Sequence, residues 1–179
     1  MRKKEKQADS PSKKECSKAY CHAAYAYRIS LVKDKRVRFS SKAVTASGIG
    51  AEMIRNTIAN AGQSDRENLV VLMLNSKNEI IGTNVVSQGS LNRTIMSMRE
   101  VFKAAIMANA GSIILGHNHP SEHCFPSEDD RVITKTAKEA GRLLGIPVLD
   151  HIIVSQDEKY YSFCDHGLMG QDMQGGIDL

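Results

Sequence analysis

The order of periodicities along this chain of 179 residues predicts an α/β (α+β) fold, a mixed sheet flanked by helices. Leu69-Val70-Val71-Leu72-Met73-Leu74 is a continuous apolar run, as a strand covered on both faces requires. Ile133, Ala137, Ala140 and Leu144 recur at i, i+4, i+7 and i+11, the pattern of a helix with one covered side. Helical and extended segments are interleaved along the chain instead of falling into separate blocks.

Residues 1–24 are polar, basic and aperiodic, which predicts a disordered arm. Tyr25 to Val32 alternates loosely and reads as a strand leading into a domain over residues 25–166. From Ile49 to Asn60, Ile54 and Ile58 with Ala51 and Ala61 mark a helical face, and Gly62 ends it. After the strand at 69–74, Asn75-Ser76-Lys77-Asn78 is a turn, Ile80 to Val86 returns, and Gln88-Gly89-Ser90 breaks the strand. Met98 to Ala108 is helical, with Met98, Phe102, Ala105 and Ile106 on a core side. Ser112 to Gly116 is a short buried strand, and a helix follows from Ser127 to Leu144, stopped by Gly145 and Pro147. Val148 to Val154 and Tyr160 to Phe163 form a last strand pair, and residues 167–179, rich in Gly and Asp, read as a loose tail.

The composition is that of an ordinary globular domain, with 41% apolar and 25% charged residues. No apolar run reaches the length of a membrane span, and the N-terminus lacks the apolar centre of a signal peptide. Cys16, Cys21, Cys124 and Cys164 show no paired metal spacing, so reduced thiols and a cytoplasmic location are expected. Charge is uneven: residues 1–42 carry 13 Lys/Arg against 4 Asp/Glu, and residues 43–179 carry 11 against 16. Such a basic arm suits weak contact with nucleic acid, or serves only as a solvated tail.

Chemistry concentrates after the strand at 112–116. His117 and His119 are spaced i, i+2 on extended chain and therefore face one way. Pro120 holds His119 extended. Asp130 follows at the start of the next helix, and two imidazoles with one carboxylate suit zinc with a fourth position open to water. Ser127-x-x-Asp130 also fits a capping box, and Glu128, Asp129 and Asp130 crowd a first turn where the helix dipole favours acids. Both readings are compatible.

His-x-His-Pro followed by Ser-x-x-Asp resembles the JAMM motif of MPN (JAB) domain zinc metallohydrolases. Arg99-Glu100-Val101-Phe102-Lys103-Ala104, Gly116-His117-Asn118-His119-Pro120-Ser121, Pro126-Ser127-Glu128-Asp129 and Leu149-Asp150-His151-Ile152-Ile153 are similar to the RadC branch of that family. RadC proteins usually have glycine where this chain has Glu122, which His123 and Cys124 follow. The resemblance implies the MPN (cytidine-deaminase-like) fold, Zn2+ on His117, His119 and Asp130, and hydrolysis of a peptide or isopeptide bond.

Hydrolysis needs a base close to the metal but not bound to it. Glu67, Glu79 and Glu100 are the upstream candidates, and Glu67 sits at the mouth of the buried strand. The resemblance favours Glu67, since MPN metalloproteases carry their catalytic glutamate at the start of such a strand, and it makes Ser127 a donor to the oxyanion. On a strand Asp150 and His151 face opposite ways, so His151 is a buried, hydrogen-bonded histidine or a partner that orients a ligand. A rival reading is a DNA-associated, repair-linked accessory protein whose arm meets phosphate.

Overall fold

A computed structural model describes residues 26, 28–62, 65–89, 97–120 and 123–170. The chain divides into two units, Met1–Ser30 and Leu31–Leu179, and the helices and strands described below lie in the second. Its elements run α1 (Ser47–Ala61), β1 (Asn68–Leu74), β2 (Ile80–Gln88), α2 (Met98–Met107), β3 (Ser112–Asn118), α3 (Glu128–Leu144), β4 (Val148–Val154) and β5 (Tyr160–Ser162).

The five strands form a single mixed sheet in the order β2-β1-β3-β4-β5. β1 pairs antiparallel with both neighbours, β4 pairs antiparallel with β5, and β3 and β4 are parallel. Parallel neighbours need a crossover, and α3 supplies it. Every residue of β1 is buried, as its unbroken apolar run requires. Alternation divides that run: Leu69, Val71 and Met73 join Val101, Phe102, Ala137, Ile113 and Leu115 on the side of α2 and α3. Val70, Leu72 and Leu74 join Ile54, Ile58, Ile114 and Ile152 on the side of α1. The fold is therefore three layers, α1 on the sheet and the sheet on α2 with α3.

The helix ends obey local chemistry. Gly62 (φ 80°) and Gly145 (φ 68°) end α1 and α3 in the left-handed region, where a side chain is strained. Beyond Gly145, the Ile146 N–H donates to the Gly141 carbonyl (2.9 Å) and closes the last turn of α3.

Two expectations need correction. Residues 26 and 28–32 take no strand pairing. Leu31 and Val32 are 54% and 86% exposed, so the alternation there has no buried face to hold a register. Residues 167–170 are also not a loose tail, since Leu168 N–H donates to Phe163 O (2.8 Å) and Met169 packs on the core. The basic arm up to residue 25, the strand's Tyr27, Glu122 and residues 171–179 lie outside the described residues. Among the described residues no helix is long and apolar enough to cross a membrane.

Candidate metal centre

β3 runs two residues further than its apolar stretch suggests and ends on Asn118. Alternation puts His117 on the same side as Ile113 and Leu115, facing α3. The intervening Gly116 faces α1, where an added Cβ would lie 2.4 Å from Ile54 Cδ1, so α1 can seat against β3 only over glycine. His119 N–H donates to Val154 O (2.9 Å), which keeps the chain extended past β3 and turns both imidazoles the same way. Their Nε2 atoms stand 3.1 Å apart.

α3 presents Asp130 from its third position. Asp130 Oδ1 lies 3.2 Å from His117 Nε2, and Oδ2 lies 3.6 Å from His119 Nε2. A tetrahedral zinc with bonds of about 2.0–2.1 Å separates its ligand atoms by about 3.3 Å, so the spacing fits. His117, His119 and Asp130 are thus positioned to bind a metal.

The capping reading holds in the same atoms. Ser127 N–H and Oγ–H both donate to Asp130 Oδ2 (2.8 and 2.6 Å), and Asp130 N–H donates to Ser127 Oγ (3.2 Å). The box fixes the carboxylate's rotamer and leaves Oδ1 aimed at His117. Ser127 has one hydroxyl proton and gives it to Asp130 here. The oxyanion role that the resemblance implies requires that proton to turn toward substrate.

Hydrogen bonding also sets which imidazole nitrogens carry protons. Thr134 Oγ1 lies 2.6 Å from both Asp130 O and His151 Nδ1. A carbonyl can only accept, so the one threonine proton goes there and His151 Nδ1 must donate. His151 Nε2 then accepts, and its partner at 2.9 Å is His117 Nδ1, which therefore donates. His119 Nδ1 likewise donates to the His123 carbonyl (3.0 Å). With both rings neutral, the two Nε2 lone pairs point into the 3.1 Å gap beside a carboxylate, an arrangement that a metal cation, or a proton on His119, relieves.

Charge follows from burial. His117 and His151 are completely buried, which pushes His117 well below its ordinary value and His151 down to about 4, so both are neutral. Burial pushes the Asp130 carboxyl up, but the His119 contact and the Ser127 hydrogen bonds outweigh it and hold Asp130 far below the usual carboxylate range. His119 is raised, chiefly by Asp130, against the opposing effect of its own burial, with the His123 carbonyl and the charge of Glu67 adding to it.

Of the three candidate bases only Glu67 is brought to this cluster. It directly precedes β1, whose Leu69 pairs with His117, and it lies near enough to His119 for its charge to help raise that imidazole. Glu79 lies at the far end of β1, bonded to Lys42 (2.8 Å) and Asn75 (2.9 Å). Glu100 is held by Lys103 on exposed α2. Asp150 faces away, its oxygens taken by Ser162 Oγ (2.6 Å), His151 N–H (2.7 Å) and Cys164 N–H (2.9 Å). His151 combines both of its expected roles, buried and orienting His117. Thr134 escaped the sequence reading, although its i+4 spacing from Asp130 puts the two on one helix face. Cys124 packs toward Ile153, Tyr161 and Phe163, while His123 offers the cluster its carbonyl.

Residues 47–168 match the model of a family described as the RadC-like JAB domain. A UPF0758 protein of Rubrobacter xylanophilus is 47% identical over 117 residues, covering 65% of this chain and 49% of the relative. One from Staphylococcus haemolyticus is 50% identical over 102 residues (57% and 44%), and one from Methanosarcina mazei 45% over 107 residues (60% and 46%). The chain spans about half the length of these relatives.

Proposed function

The chain belongs to the RadC-like JAB domain family, and on that premise we propose that it is a zinc-dependent amide hydrolase, a metallopeptidase or isopeptidase of the JAMM type. The observation that carries the reading is the pair of imidazole Nε2 atoms 3.1 Å apart beside the Asp130 carboxylate. Two nitrogens and one oxygen in a tetrahedral spacing suit zinc better than the all-oxygen cages of magnesium or calcium. When bound, the cation supplies Lewis acidity, polarising a carbonyl and making water acidic enough to serve as nucleophile near neutral pH.

The chain's own residues would do the rest. His117, His119 and Asp130 hold the cation, leaving a fourth side open. Glu67, near His119, takes a proton from the attacking water and returns it to the leaving nitrogen. Ser127 orients Asp130, and its hydroxyl is the nearest donor for an oxyanion once substrate arrives. The substrate is a peptide or isopeptide, and the free thiols Cys124 and Cys164 suit a reducing cytoplasm.

Elemental analysis of protein purified without added metal, followed by a peptide-library cleavage screen, tests this. The parent should carry one zinc per chain and His119→Ala none. Glu67→Gln should keep the zinc and lose about 10²–10⁴ in rate. A Glu67→Gln protein as fast as the parent would show that the base lies elsewhere.

A further inference from the structure

Asn118 sits between the two histidines but faces the opposite side of the sheet, and the metal reading gives it no task. Its side chain is nonetheless committed at both ends. Oδ1 accepts from the Asn68 backbone N–H at 2.8 Å and from Asn68 Nδ2 at 3.2 Å. Nδ2 donates to the Arg66 carbonyl at 2.8 Å. Those backbone groups belong to the residues on either side of Glu67. Asn118 is 7% exposed and Asn68 fully buried, so water does not compete freely for these bonds.

The backbone ladder between β1 and β3 stops at Leu69 and His117. Beyond that point the Asn118 amide takes over the pairing, spanning three residues where a ladder rung would span one. On the far side, the Glu67 carbonyl accepts from Gly89 N–H at 2.7 Å. Residues 66–68 are therefore gripped from β3 by a side chain and from the end of β2 by a main chain.

We propose that Asn118 is a positioning residue for the general base: its amide clamps Arg66 and Asn68 and so fixes the Glu67 carboxylate relative to the His119 side of the metal centre. This rests on Glu67 being the base, as argued above. A carboxylate on an unpinned loop end would sample positions an ångström or more away, and displacement of that size costs about 10²-fold in rate.

The test combines a kinetic cycle with a measurement that needs no substrate. Asn118→Ala, Glu67→Gln and the double variant are compared for zinc content, kcat and KM. Asn118→Ala should keep one zinc per chain and lose kcat by about 10–100-fold with KM little changed. In the Glu67→Gln background the same change should cost nothing more, because its only route to the reaction has gone. Independently, amide exchange at Asn68 should quicken at least about tenfold on Asn118→Ala, while Val70 to Leu74 stay protected. Asn118→Asp, of the same size, keeps the acceptor for Asn68 but sets a carboxylate oxygen against the Arg66 carbonyl; it should lose kcat at least as far as Asn118→Ala and serves as the variant if Asn118→Ala does not fold.

Equal losses in both backgrounds, loss of zinc in Asn118→Asp, or unchanged exchange at Asn68 would overturn the clamp. A parent without hydrolysis, but with the exchange result intact, would sink the hydrolase reading and leave the clamp standing as a feature of the fold.

Discussion

Thr134 has one proton and two neighbours at 2.6 Å, and the choice forced on it propagates to the metal ligand two hydrogen bonds away. Thr134→Val keeps the shape and deletes the acceptor for His151 Nδ1–H. His151 is then free to change tautomer, and His117 Nδ1 loses its fixed partner. Removing such an outer partner typically costs about 10–100-fold in metal affinity, so a zinc competition titration should show a loss in that range. Unchanged affinity would mean that the ring orientation is set by packing, for which the stack of His151 on Phe163 (5.0 Å, 15°) is the alternative. The same imidazoles make the metal-free protein sensitive to acid. Burial pushes His151 down to about 4, against about 6.5 for an ordinary imidazole, and pushes His117 the same way. Between those values the unfolded chain binds more protons, so stability falls as pH drops from about 6.5 to about 4. His119 is raised and works in the opposite sense, favouring the fold at low pH. The buried Asp150 carboxyl does the same in the more acidic carboxylate range, but between the imidazole values one raised histidine faces two lowered ones. The urea midpoint of chelator-treated protein should therefore be lower at pH 5 than at pH 7.5. A higher midpoint at pH 5 would show that His117 and His151 carry charge in the fold.

At the scale of elements, α3 carries a ligand at one end and a tight contact at the other. A Cβ on Gly141 would lie 2.6 Å from the Ile146 carbonyl oxygen and 3.3 Å from Phe102 and Val148. Ala in a helix interior is favoured over Gly by about 1 kcal/mol. Overpacking costs about 1–3 kcal/mol, and here the obstacle is a backbone group already tied to Gly141 by the Ile146 N–H. The clash wins, so Gly141→Ala should lower unfolding stability by about 1 kcal/mol in urea titrations. Zinc stoichiometry should stay unchanged, because Asp130 is three turns away. What was legible in the sequence belongs to this scale. The apolar run of β1, the periodicity of α3 and the glycines after α1 and α3 act within a few residues, so spacing alone exposes them. The His-x-His and Ser-x-x-Asp spacings were legible for the same reason. Asn118 and Thr134 were not, since their partners lie 50 and 17 residues away and depend on a register that no local pattern encodes. The expected strand did not form at Leu31 and Val32 for the converse reason: alternation was present, but both side chains are exposed and have no buried face to hold a register.

For the whole molecule, charge is divided between a basic start, +9 over residues 1–42, and a body of −5 over residues 43–179. If that start meets nucleic acid, binding to duplex should be weak, fall steeply between about 50 and 200 mM salt, and vanish when residues 1–18 are deleted. Binding that survives the deletion would have to come from the basic residues between 19 and 42 or from the body. The order of the strands has a further outcome. β3 and β4 are parallel, so they meet only after α3 has crossed over, and the same helix carries Asp130 to His117 and His119. The three residues meet where the end of β3 faces the start of α3, an arrangement that the extended unfolded chain does not hold. A cation that needs them all therefore favours the fold over the unfolded chain, and saturating it to about a hundred times its dissociation constant adds about 2.7 kcal/mol. Melting temperature followed against added zinc, cobalt or manganese then ranks the metals by preference with no substrate needed.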